Sequence, residues 1–239
     1  MKKTSYGLLL ILAMILFSCD GKISEYKGEV IESDKNISAF NQLTLKGTFE
    51  LFLIQGDEVS LRFEGNEELI DEIVVDQKGQ ELKISLETKS KRNFLKNEAK
   101  IYLTVTSLEK INFEGVGQIK SEGQLAFEKL EIKGEGVGNV ELDLEVSELV
   151  TKLNFVGKMD LKGAADKFYL SNEGIGNINA SKFIAEDVEV ISSGIGAVSV
   201  HSIGELSMEV NGIGSISYTG NPKVIKENVN GLGNISRNE

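Results

Sequence analysis

A short motif recurs seven times in the second half of this chain: glycine, an apolar residue, glycine, and then another apolar residue two positions on. It reads Gly115-Val116-Gly117, Gly136-Val137-Gly138, a degenerate Phe155-Val156-Gly157, Gly174-Ile175-Gly176, Gly194-Ile195-Gly196, Gly212-Ile213-Gly214 and Gly231-Leu232-Gly233. Copies follow one another at roughly 18–21 residues, the scale of one turn of a solenoid rather than of a domain.

Aligned on the first glycine, the copies place Ile119, Val140, Met159, Ile178, Val198, Ile216 and Ile235 in one column. The residues between the glycines, Val116, Val137, Val156, Ile175, Ile195, Ile213 and Leu232, make a second. Alternation before the glycines supplies a third, Leu130, Leu149, Phe168, Val188, Leu206 and Ile225, and a fourth, Ile132, Thr151, Leu170, Val190 and Met208. Period-two alternation is strand periodicity, so each repeat reads as strand, glycine turn and strand. One repeat cannot bury its apolar face alone, whereas stacking turns each of the four columns into an internal ladder. The glycines are expected at corners, where positive φ is open to a residue without Cβ. Parallel crossovers are right-handed, so the expected fold is all-β: a right-handed parallel β-solenoid, or β-helix, with an N-terminal sheet cap.

Glycine-rich loops also cradle phosphates, and Gly134-Glu135-Gly136-Val137-Gly138 invites that reading. Phosphate binding needs a helix after the loop. Here Asn139-Val140-Glu141-Leu142-Asp143-Leu144 follows, a strand alternation. A calcium-loaded β-roll would carry a recurring aspartate that these turns lack. Nothing in the sequence implies a cofactor or a metal.

The first eighteen residues read as a leader. Lys2 and Lys3 precede an apolar run from Leu8 to Phe17, and Leu16-Phe17-Ser18-Cys19 closes it. The run is shorter than the ~20 residues a spanning helix requires. Its last four residues resemble a bacterial lipobox, which makes Cys19 the expected lipidation site and mature N-terminus. Cys19 is the single cysteine, so no intramolecular disulfide forms. A lipid on that residue would hold the protein on a membrane face without spanning it. The chain has 37 acids against 26 bases; loss of Lys2 and Lys3 with the leader takes the net charge from −11 to −13. Such a field repels phosphate backbones, so nucleic acid is not an expected partner. The charges are interspersed along strand alternations, the pattern of a solvated outer face.

Residues 19–36 are polar and read as a tether. From residue 38 to 108 the pattern is one of longer alternating strands, read as a β-sheet that caps the first repeat. Gln55-Gly56-Asp57 and Lys78-Gly79-Gln80 are expected hairpin turns, Asn66 to Ile73 one short helix, and Lys89 to Lys100 an exposed charged loop. The repeats occupy 109–239.

The opening Ile37-Ser38-Ala39-Phe40-Asn41-Gln42-Leu43, the segment Phe52-Leu53-Ile54-Gln55-Gly56-Asp57, the repeated Gly-x-Gly-x-Ile units and Tyr218-Thr219-Gly220-Asn221-Pro222 together resemble the bacterial head GIN domain family, labelled "putative auto-transporter adhesin". Gly176-Asn177-Ile178 and Gly233-Asn234-Ile235 match the motif itself. The resemblance covers residues 38–236 as one continuous domain. It implies a secreted or lipid-anchored β-solenoid and no catalytic residues; the expected location is the cell envelope, lipid-anchored to the outer membrane of a Gram-negative bacterium. Members often carry a small polar residue between the glycines; here it is Val, Ile or Leu, which points to burial of that column.

An enzyme needs a constellation of groups. His201 is the single histidine, so nucleophilic triads and zinc sites have little to draw on. Some β-helices cleave polysaccharides with acids on one face. Here the residue before each first glycine forms a column containing Glu114, Glu135 and Glu173, interrupted by Asn154, Ser193, Asn211 and Asn230. Neighbouring repeats would set such carboxylates roughly 5 Å apart, near the spacing of retaining glycosidase pairs. Asn and Ser favour corners, however, and no lysine or arginine accompanies the column in the sequence. A chain without Trp and with 7% aromatics lacks sugar-stacking platforms. The expectation is a non-catalytic, lipid-anchored binding, adhesion or scaffold module with a protein or glycan partner; the alternative is a polysaccharide-acting enzyme using the corner carboxylates.

Overall fold

In the computed structural model, residues 29–86 and 99–238 are described, and apart from one short helix their regular structure is strand. The leader, Cys19, residues 19–28 of the expected tether and residues 89–98 of the expected loop lie outside the described residues. The rest builds one large, mostly parallel, unclosed sheet of thirteen strands.

The repeats form its larger part. Strand β7 (Lys110–Asn172) runs through the first three copies of the motif without interruption. It is followed by β8 (Ile175–Ser192), β9 (Ile195–Ser202), β10 (Glu205–Val210), β11 (Ile213–Gly220), β12 (Lys223–Val229) and β13 (Leu232–Arg237). From the fourth copy on, the strand breaks for two residues at the motif, at Glu173-Gly174, Ser193-Gly194, Asn211-Gly212 and Asn230-Gly231. Every pairing among β7 to β13 is parallel, with Val156, Ile175, Ile195, Ile213 and Leu232 in line. A second track pairs β12 with β10 and β10 with the end of β8.

Three of the four expected columns are buried along most of their length. Ile119, Val140, Met159, Ile178, Val198 and Ile216 form one continuous interior ladder, as do Leu130, Leu149, Phe168, Val188 and Leu206, and Ile132, Thr151, Leu170, Val190 and Met208. Ile225 leaves its column: a register shift after Leu206 puts Val224 opposite that leucine and leaves Ile225 exposed. The column between the glycines is not interior at all, against the burial expected of it: all seven of its residues are exposed.

The first part of the chain joins the same sheet. Strand β2 (Gln42–Gln55) lies parallel to β7, with Gly47 opposite Gly115 and Leu51 opposite Ile119. It is therefore a further copy of the repeat, with Gly47-Thr48-Phe49 in place of the motif. On its other side run β5 (Glu81–Leu86) and β6 (Ala99–Val105), also parallel. No break in the sheet corresponds to residue 108, since cap and repeats share β2.

The antiparallel strands are confined to this end. β4 (Ile73–Lys78) and β5 form the hairpin expected at Lys78-Gly79-Gln80, with Gly79 at φ +58°. Gln55-Gly56-Asp57 is not a hairpin turn. β2 already has parallel neighbours on both sides, so the next strand, β3 (Ser60–Asn66), crosses to the far side of β6 and pairs antiparallel there. Beyond it lies β1 (Val30–Lys35), antiparallel to β3, so the last residues of the expected tether are strand. The expected helix is present as α1 (Glu67–Asp71). The Asn66 Oδ1 caps it by accepting from the Glu68 N–H at 3.1 Å, and Leu69 and Ile70 are buried.

Candidate functional site

The motif residues create a surface that the sequence does not announce. The second glycine holds φ between +141° and +157° at Gly117, Gly157, Gly176, Gly196 and Gly214, a region essentially closed to residues with a Cβ. Space is as restrictive as conformation. A Cβ on Gly176 would stand 1.8 Å from the carbonyl oxygen of Gly157, and one on Gly196 equally close to that of Gly176. Glycine stacks on glycine along the sheet, backbone against backbone.

The residue between the glycines consequently points outward. Val116 is 44% exposed, Val137 50%, Val156 45%, Ile175 50%, Ile195 46%, Ile213 52% and Leu232 74%. Thr48 of β2 stands opposite Val116 and extends the line by one rung. The alternation of the strand explains this: the position before it faces the interior, as buried Phe155, Gly174 and Gly194 show, so the next residue faces solvent. The result is a continuous aliphatic stripe, rungs about 4.8 Å apart. Exposed apolar surface that is contiguous, rather than scattered, marks interaction sites.

Polar columns flank it. The column before the first glycine contains Glu114, Glu135 and Glu173, all exposed on the outer surface. Glu114 forms an ion pair with Lys46, a residue of β2 brought alongside by strand pairing. The absence of a basic neighbour, inferred from the sequence, is thereby corrected. The hydrogen bond and charge of Lys46 hold the Glu114 carboxyl below its ordinary range, and Glu114, with a smaller contribution from Glu135, raises Lys46. Glu173 stands two repeats beyond Glu135, with Asn154 between. Glu135 and Glu173 border a shallow open groove with Lys133, Lys152 and Tyr169.

Those lysines are engaged with another acid. Lys133 and Lys152 lie 3.1 and 3.7 Å from Glu131, and Lys110 lies 3.9 Å from it. Burial pushes Glu131 up, but the hydrogen bond and charge of Lys133, with the charges of Lys110 and Lys152, outweigh it and leave the carboxyl below its ordinary value. Similar pairs link neighbouring repeats at Lys129–Glu148 (2.7 Å), Lys162–Asp143 (3.0 Å), Lys223–Glu205 (2.9 Å) and Lys226–Glu209 (2.6 Å). Among the described residues the four carboxyls with a clear displacement, Glu64, Glu114, Glu131 and Glu209, all move down, the opposite of what a general acid requires.

His201 is half-buried, and its Nδ1 lies 3.0 Å from the Thr219 Oγ1. Among the described residues no group of three His, Cys, Asp or Glu side chains could hold a metal ion. Behind the first rungs of the stripe, between Leu51, Phe113 and Val140, a cavity of about 30 Å³ would admit one water. No described helix is long and apolar enough to cross a membrane.

Known proteins resemble this one over almost its whole length. No match was found among curated proteins. The crystal structure of a "putative adhesin" from Bacteroides fragilis is 30% identical and superposes with a TM-score of 0.85, covering 90% of this chain and 100% of its own. A "putative lipid binding protein" from Parabacteroides distasonis, 23% identical with a TM-score of 0.71, covers 90% of this chain and 99% of its own. A "putative adhesin" from the same organism, at 17% and 0.68, covers the same shares; the latter two share the fold. Residues 39–222 match the family described as "putative auto-transporter adhesin, head GIN domain", and the chain belongs to it.

Proposed function

We propose that this protein is a non-catalytic binding or adhesion module of the bacterial cell envelope, a right-handed β-solenoid held to a membrane by a lipid on Cys19. The aliphatic stripe from Val116 to Leu232 carries the reading: a rigid array that exposes an apolar side chain in every repeat is built to be covered. The parallel register of roughly 19 residues per repeat supports the solenoid, and the resemblance of Leu16 to Cys19 to a lipobox supports the anchor. A net charge of −11 is unfavourable for nucleic acid, which leaves protein or glycan as partner.

The stripe is tested by charging it. Full-length protein and its Ile213→Lys variant are compared for retention on immobilised outer-envelope preparations, with thermal melts showing that both are folded. Retention of the wild type and its loss in the variant are expected. Equal retention of both proteins, or none of either, would refute a binding role for the stripe. The anchor is tested separately: intact-mass spectrometry should find a lipid adduct on Cys19, and a Cys19→Ala protein that stays wholly in the membrane fraction would exclude it.

The groove bordered by Glu135, Glu173, Lys133, Lys152 and Tyr169 favours one second reading, action on a polysaccharide. Release of reducing ends or unsaturated product by the wild type, abolished by Glu135→Gln or Glu173→Gln, would establish it in place of the first.

A further inference from the structure

We infer that the aliphatic stripe docks against the same stripe of a second copy, the two running antiparallel. This rests on the reading of the stripe as a binding surface and names what it binds.

Period is the first argument. The rungs repeat at the strand spacing of about 4.8 Å, and a second copy presents a ladder of the same spacing, so rung meets rung along the whole stripe in a dry apolar contact.

Size is the second. Read from Val116 to Leu232, the stripe is Val, Val, Val, Ile, Ile, Ile, Leu. Antiparallel pairing about Ile175 sets Val116 against Leu232, Val137 against Ile213 and Val156 against Ile195. Each pair combines a smaller with a larger side chain, so the two stripes meet at even depth. Parallel pairing would leave a gap at the valine end and crowd the leucine end, and packing is sensitive to single methylenes.

Charge is the third. The flanking column is acidic at one end, with Glu114 and Glu135, and amide-bearing at the other, with Asn211 and Asn230. A two-fold axis at Ile175 brings the acidic end of each copy to the amide end of its partner. The one like-charge meeting is Glu173 with its own counterpart near the axis.

Area is the fourth. Seven half-exposed aliphatic side chains offer roughly 500 Å² per copy, within the range of functional patches. The flanking polar columns bring the contact toward the ~800 Å² per partner of a stable interface. The arrangement also gives the adhesion reading a geometry. β1 lies at the opposite edge of the sheet from β13, so antiparallel copies carry their β1 strands at opposite ends.

Cysteine pairs test the proposal in the full-length protein, purified in detergent, with the wild type as control for Cys19. On mild oxidation, Ile175→Cys is expected to form a disulfide with itself, and Val116→Cys with Leu232→Cys when the two are mixed, but Val116→Cys not with itself. In sedimentation velocity, Ile195→Lys should weaken the dimer at least tenfold with an unchanged circular dichroism spectrum, and Glu173→Gln should tighten it. Self-linking of Val116→Cys would overturn the antiparallel arrangement. A monomer at all concentrations, with no disulfide above that of the off-stripe variant Ile184→Cys, would overturn self-docking altogether. In that case retention on envelope preparations that Ile213→Lys still abolishes would leave the binding role of the stripe standing.

Discussion

Phe155 stands where the other motif copies place their first glycine, and its ring meets that of Phe113, two repeats earlier, edge-on with centroids 5.9 Å apart. Gly134 makes the space, since a Cβ there would stand 2.1 Å from the Phe113 Cζ. The degenerate third copy is thus a compensated one, in which an aromatic pair fills the interior. Phe155→Ala is expected to cost about 3–5 kcal/mol, the range for a buried aromatic. Urea denaturation midpoints measure it, and a loss below about 1 kcal/mol would mean that the pair contributes little.

The inner and outer columns should respond in opposite ways to the same truncation. Ile178 is 3% exposed and Ile195 46%. Ile178→Ala should cost about 2–5 kcal/mol, whereas Ile195→Ala should cost less than about 1. Parallel denaturant melts of the two variants check the difference, and equal midpoints would contradict the assignment of sides.

Glycines of the motif should be far less replaceable than a glycine in a turn. Gly176→Ala meets both an excluded φ and the Gly157 carbonyl, so a loss above about 4 kcal/mol or failure to fold is expected. At Gly79 the surroundings are open and only φ +58° opposes a side chain, so Gly79→Ala should cost about 1 kcal/mol. Soluble yield and thermal midpoint distinguish them.

The sheet should also lose some stability in acid through Glu131. Its folded carboxyl lies below the ordinary value of 4.5. The ionised form therefore adds stability above that value, and the contribution disappears as pH falls through the lower, folded one. Glu131→Gln should be less stable than wild type at pH 7, by under about 1 kcal/mol. The difference should shrink as the pH is lowered below 4.5, as urea melts at neutral and at acid pH would show.

The sequence carried the repeat and three of its four columns because period-two alternation and spacing record side-chain direction directly. It misassigned the column from Val116 to Leu232 for a definite reason. A valine between two glycines is apolar whether it faces in or out, and its direction depends on which way the glycines turn, which appears only when neighbouring backbones are in place. Lys46 beside Glu114 was hidden by distance along the chain. Gly47-Thr48-Phe49 was hidden because Phe49 stands where a glycine marks the other copies. Gln55-Gly56-Asp57 has the residues of a hairpin turn, and only the occupancy of both edges of β2 prevents one. The family resemblance was legible; the outward stripe was not.

The position of β2 bears on how the chain assembles. Synthesised before either neighbour, it is left with both edges open until Glu81–Leu86 and Ala99–Val105 close one side and Lys110 onward closes the other. Growth of the array cannot simply follow the order of translation, because an early strand must wait for segments made later to enclose it, a non-local pairing that slows folding. A chain shortened past β2 would lose an interior strand of the sheet rather than a dispensable rim, and β5 and β6 would face β7 across the missing strand.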